Sequence, residues 1–174
     1  MFKNRLYDLK AYRKDREELR DAALKNPLYL EEVFALAFAV SDKNHHKACW
    51  ILELVCEEKL ELILPYLDRF CEVLPLYENQ SALRPMSKIA MLLTQQYPER
   101  FSENQIQKII ETSFDRLISR TKVAAKVYAM DVLFELGKHH KWIHPELKQI
   151  ITQDYISHSP GYKAHTRMLL KKMN

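Results

Sequence analysis

Three groups of side chains have types and spacings that chemistry could use. The first is Asp131, Glu135 and His139, at i, i+4 and i+8, with His140 and His144 close behind. Two carboxylates and an imidazole on one helical face would suit a hard or borderline divalent metal. Gly137 is expected to end that helix before His139, however, and Lys138 and Lys141 would repel a cation. The group reads instead as a helix C-terminus rich in His and Lys, which the helix dipole favours. The second group is His45, His46 and Cys49, with His45 and Cys49 one turn apart. A thiolate ligand must be deprotonated, whereas Cys49 lies beside Ala48 and Trp50 in a core-like run and reads as a buried thiol. No His-Glu-x-x-His and no Gly-x-Ser-x-Gly string occurs. No catalytic residue, cofactor or metal is expected. The third group is basic: Lys47, Arg84 and Lys88, Lys122 and Lys126, and Lys163 and Arg167 recur near the starts of helical segments. Positive side chains repeated in this way can track phosphates or an acidic surface.

The elements that must position these groups are helices. The chain has 174 residues, of which 47% are apolar and 29% charged, and contains two glycines, Gly137 and Gly161. Hairpin-rich sheets and phosphate loops both consume glycine, so neither is within reach. Turn and cap signals at Asn26-Pro27, Ser41 to Asn44, Tyr77 to Gln80, Gln96 to Pro98, Ser119 to Thr121, Gly137 to Lys141 and Ser157 to Gly161 leave segments of ordinary helix length. Apolar triads then return along the chain. Leu30, Val33 and Phe34 recur as Leu67, Phe70 and Cys71, as Ile106, Ile109 and Ile110, and as Leu147, Ile150 and Ile151, at offsets of 37, 39 and 41 residues. A second set, Ala48, Ile51, Leu52 and Val55, recurs as Met86, Ile89, Ala90 and Leu93 and as Ala125, Tyr128, Ala129 and Val132. A fourth copy begins with Ala164 and Met168 and then meets Arg167 and Lys171, as an exposed terminal repeat would. Residues 1–26 read as an N-terminal capping helix, about Asn4 to Lys25, with Leu6, Leu9, Tyr12 and Leu19 on its inner face.

Two-helix units of about forty residues with this patterning resemble HEAT or armadillo-like repeats. Leu62-Ile63-Leu64-Pro65-Tyr66-Leu67 followed by Ser81-Ala82-Leu83-Arg84-Pro85-Met86 is the stretch most similar to one unit. The resemblance implies an all-α, right-handed α-α superhelix of about four hairpins, one domain spanning 1–174 with repeats over 27–174. It also implies that second helices line a concave face, which places Lys47, Trp50, Arg84, Lys88, Lys126, Lys163 and Arg167 on a candidate binding face. HEAT-type DNA-alkylation-repair proteins are similar in architecture, but their Trp- and Asp-bearing segments have no match here.

The expected function is a non-catalytic binding or scaffold module for another protein. The alternative is nucleic-acid binding through a basic concave face. Net charge is +4, but residues 27–80 carry −6 and residues 81–174 carry +7, a polarity that steers charged partners. Cys49, Cys56 and Cys71 read as buried thiols of a reducing compartment. With no segment expected to cross or enter a membrane, the cytoplasm is the expected location.

Overall fold

A computed structural model describes residues 1–173, and no strand occurs among them. Ten α-helices follow one another along those residues, and none is long and apolar enough to cross a membrane. The chain forms two compact units, Met1–Ile89 and one beginning at Ala90, so the boundary falls inside α6 (Gln80–Gln96).

The first unit begins with α1 (Phe2–Asp8) and α2 (Arg13–Lys25), where one capping helix was expected. An uninterrupted helix would turn Leu9 and Leu19 roughly 80° apart around its axis. The chain instead leaves the helix at Leu9, in extended geometry, which lets Leu6, Leu9 and Leu19 all be buried. Tyr12 falls in the break and is 69% exposed rather than on the inner face. Helix α3 (Pro27–Ala37) starts where Asn26 accepts a hydrogen bond from the Leu28 amide at 3.0 Å, with Pro27 in the first turn. It packs on α4 (His45–Glu58). The last carbonyl of α3, on Ala37, is satisfied from two sides, by the Tyr77 hydroxyl at 2.7 Å and by the Cys49 thiol at 3.7 Å. Then follow a 3-10 stretch over Leu60–Tyr66, α5 (Leu67–Val73) and a 3-10 turn over Leu74–Leu76. Asn79 caps α6 by accepting from the Ser81 amide at 2.8 Å.

In the second unit, α7 (Glu103–Ile118) opens with a reciprocal capping box. The Ser102 hydroxyl accepts from the Gln105 amide at 3.3 Å, and the Gln105 side chain accepts from the Ser102 amide at 2.8 Å. Helices α8 (Val123–Leu136), α9 (Ile143–Asp154) and α10 (Pro160–Met173) complete it. The recurring triads are buried except that Leu30 and Ile150 are half-buried.

The fourth second helix does not follow the expected register. Ala164 and Met168 are exposed, and the buried stripe is Tyr162, Thr166 and Leu169. These three match Ala125, Ala129 and Val132 at a common offset of 37 residues. The last copy is therefore displaced by two residues, and its inner face is filled where a failing pattern was expected.

Gly137 ends α8 at an ordinary φ of −63°, so its conformation does not demand glycine. Space does. A Cβ there would land inside the imidazole of His144, which stacks on Phe134 at 5.3 Å and donates to the Phe134 carbonyl at 2.8 Å. Gly137→Ala is expected to lower stability by about 2 kcal/mol through overpacking, read as a drop of roughly 5 °C in melting temperature. An unchanged melting temperature would show that His144 moves aside freely.

Candidate functional site

Second helices α4 and α6 lie side by side along a ladder of constant register. The Trp50 indole donates to the Ser81 carbonyl at 3.0 Å, Arg84 grips Glu53, and Lys88 reaches Glu57, each pair separated by 31 residues. A constant separation means that the two helices run parallel over this stretch.

The first rung has a covalent cause. Pro85 stands inside α6 without an N–H, which leaves the carbonyl four residues back, on Ser81, without its helical donor. Trp50 supplies the missing donor. The second rung is a fork: both Glu53 oxygens accept from Arg84 at 2.6 Å, and Lys88 stands 3.6 Å away. The Glu53 side chain is only 4% exposed. A buried carboxylate is tolerated because its lone pairs are filled and its charge is matched.

A cleft of about 350 Å³ opens over this ladder. Glu53, Leu54 and Glu57 of α4 line it together with Arg84 and Lys88 of α6 and Arg13 and Arg16 of α2. Arg13 is held by Glu17 at 2.7 Å. The guanidinium of Arg16 lies 5.8 Å from the centre of the Trp50 ring. Its Nε is buried with no acceptor.

The remaining residues of the expected face have different fates. Lys47, on α4, donates to the carbonyl of Tyr7 in the last turn of α1. Lys126, on α8, donates to the carbonyl of Leu117 near the end of α7 at 2.6 Å, and only 6% of it is exposed. Both lysines satisfy and neutralise a helix C-terminus, and Lys126 is thereby removed from any surface. Arg167 donates to the Tyr155 hydroxyl at 2.6 Å, and Lys163 lies over the same ring at 5.7 Å. Sequence reasoning missed Arg13 and Arg16 and took Glu53 only as one of the acidic residues of 27–80. The available signal was Glu53 itself, a carboxylate inside the apolar run Ile51 to Val55.

The family model of the HEAT repeat domain matches residues 2–173. The chain belongs to the HEAT repeat domain family. No curated protein and no solved structure matches it. In HEAT terms, α4 and α6 are second helices of adjacent hairpins, and the ladder is an inter-repeat seam. The second unit carries a shorter seam of the same kind, in which His165 of α10 donates to Asp131 of α8 at 2.7 Å. In both seams an acid on one second helix is answered from the next second helix, by Arg84 and Lys88 in the first and by His165 in the second.

The metal-like groups are engaged in the same HEAT packing. Asp131 is held by His165, Glu135 by Lys138 at 2.7 Å, and His144 by the Phe134 carbonyl. His45 donates to the Asp42 carbonyl at 2.6 Å. Burial pushes the Cys49 thiol well above its ordinary range, which disfavours the thiolate that a metal or a nucleophilic step requires.

Burial also holds the Lys126 ammonium below its ordinary 10.5, with the Asp154 carboxylate opposing. The folded chain therefore releases this proton before the unfolded chain does. As pH rises from the folded value towards 10.5, the cost of the buried charge is relieved, and wild type gains stability relative to Lys126→Met. Melting temperatures of both proteins at neutral pH and just below pH 10.5 test this; a pH-independent difference would show that the ammonium is not desolvated.

Proposed function

We propose that this HEAT chain is a non-catalytic cytoplasmic binding module, with residues 1–174 acting as one domain, and that its second-helix face receives a protein partner. The observation that carries this is the cleft over the α4–α6 ladder, where Arg13, Arg16, Arg84 and Lys88 meet Glu53 and Glu57 beside the half-buried Trp50. Helices held in register by the buried Glu53 carboxylate and the Trp50 bond keep their surface groups placed before a partner arrives, so little ordering entropy opposes association. Trp50, Arg84 and Lys88 form the centre of this face, Lys47 its edge, and Lys163 and Arg167 a second patch around Tyr155. The mixture of signs favours a protein over a nucleic acid. Glu53 and Glu57 occupy Arg84 and Lys88, and they would repel the uniform charge of a phosphate backbone.

A photoreactive residue placed at Arg13, whose side chain is 75% exposed, is expected to give discrete protein adducts in cells that express the chain. The same probe at the exposed Gln149 of α9 serves as the control. Adducts to nucleic acid alone, or identical patterns from both positions, would remove this face from consideration.

A further inference from the structure

We propose that the partner reaches this cleft with an acidic segment, one carboxylate of which docks on Arg16 against the face of Trp50. This deepens the binding reading above and rests on it. The cations of the cleft differ in what already holds them. Arg84 and Lys88 are engaged by Glu53 and Glu57, and Arg13 by Glu17. Arg16 lines the same cleft and makes no ion pair among the described residues.

Arg16 is also the side chain whose geometry suits a planar anion. Its guanidinium is braced on the Trp50 ring, and Trp50 is itself fixed by its bond to Ser81 and by the edge of His46 at 5.2 Å. A braced guanidinium keeps its fork of donors ordered, and a carboxylate matches that fork with two parallel hydrogen bonds.

The local field points the same way. Arg13, Lys14 and Arg16 outnumber Asp15 in the first turn of α2, and Tyr12 provides no side-chain cap there. The excess of cations at the positive end of this helix favours a further anion there. The carboxylates of Glu53 and Glu57 limit what can enter. On a short flexible acidic peptide one side-chain carboxylate can meet Arg16 while the others turn to solvent, away from Glu53 and Glu57, and can rebind in its place. A phosphate backbone carries its charge on the chain itself and cannot turn it away. The inferred ligand is therefore an acidic peptide segment, presented by a folded or extended partner.

Trp50 reports on the site directly. The chain has two tryptophans, so a Trp142→Phe background leaves Trp50 as the sole indole emitter. Titration of that protein with a short oligoglutamate peptide at low salt is expected to change the emission saturably. The affinity should weaken as salt rises, and it should fall by roughly tenfold or more in Arg16→Gln. Arg16→Lys, which keeps the charge but loses the fork, should recover only part of the loss, and melting temperatures confirm that each variant is folded. Monomeric glutamate at equal carboxylate concentration should bind far more weakly than the peptide. No saturable change with oligoglutamate, equal affinity in Arg16→Gln, or a preference for oligodeoxythymidylate would each overturn the assignment. If the peptide fails while Arg13 cross-linking to protein persists, the binding module stands and only its acidic ligand is lost.

Discussion

Arg84→Met is expected to cost about 3 kcal/mol of stability, because it leaves the buried Glu53 carboxylate without its fork. Both oxygens of Glu53 accept from Arg84 at 2.6 Å, and the side chain is 4% exposed. Arg84 covers this carboxylate, so its truncation leaves Glu53 to whatever water enters from the cleft side alone. Lys88 stays 3.6 Å away and retains part of the Coulomb attraction, which keeps the loss towards the lower end for a broken buried pair. The double variant Glu53→Leu/Arg84→Met removes the charge along with its partner and should recover most of the loss, since a well-packed apolar pair often matches or exceeds a buried ion pair. Chemical denaturation of wild type, the two single variants and the double variant gives the coupling. A single-variant loss below about 1 kcal/mol would put Glu53 in the ordinary range of exposed pairs and would contradict its burial.

Phe34→Ala should be comparably damaging, at about 4 kcal/mol. Phe34 is 2% exposed, stacked on Tyr66 at 4.1 Å and tilted against Phe38 at 5.8 Å. Truncation opens a cavity and also removes the ring contacts. Phe34 belongs to the first apolar triad, on the face of α3 that HEAT packing must keep dry. Phe34→Leu keeps most of the buried area and should lose well under half as much. Thermal unfolding followed by circular dichroism should show a drop of roughly 10 °C for Phe34→Ala; equal losses in both variants would mean that volume is not what holds this position.

The cation ladder separates what can be read from residue spacing from what cannot. Basic residues recurring with the repeat suggested one charged wall. Spacing cannot say whether a lysine points to solvent or back to the previous helix. Lys126 and Lys47 turn to helix-end carbonyls, and Arg84 and Lys88 turn to the acids of the preceding second helix. Glu57 was visible only as one residue of an acidic segment, because the separation of 31 that joins it to Lys88 differs from the repeat length of about 38 and follows from how parallel helices lie side by side. Arg13 and Arg16 escaped notice because the N-terminal segment was read as one helix. Once the chain breaks at Leu9, α2 is free to pack on α4 and to deliver both arginines to the cleft.

The amino-acid sequence alone determined the helical class, most of the caps and breaks, and the HEAT hairpin. These depend on local chemistry and on a hydrophobic period that each helix carries within itself. Tertiary structure decided the two-residue shift of the last copy, the need for glycine at position 137, and the partners of Arg84, Lys88 and Asp131. Those outcomes depend on groups thirty or more residues apart, or on a neighbouring ring already occupying the space, and no local pattern records which contacts will form when helices meet.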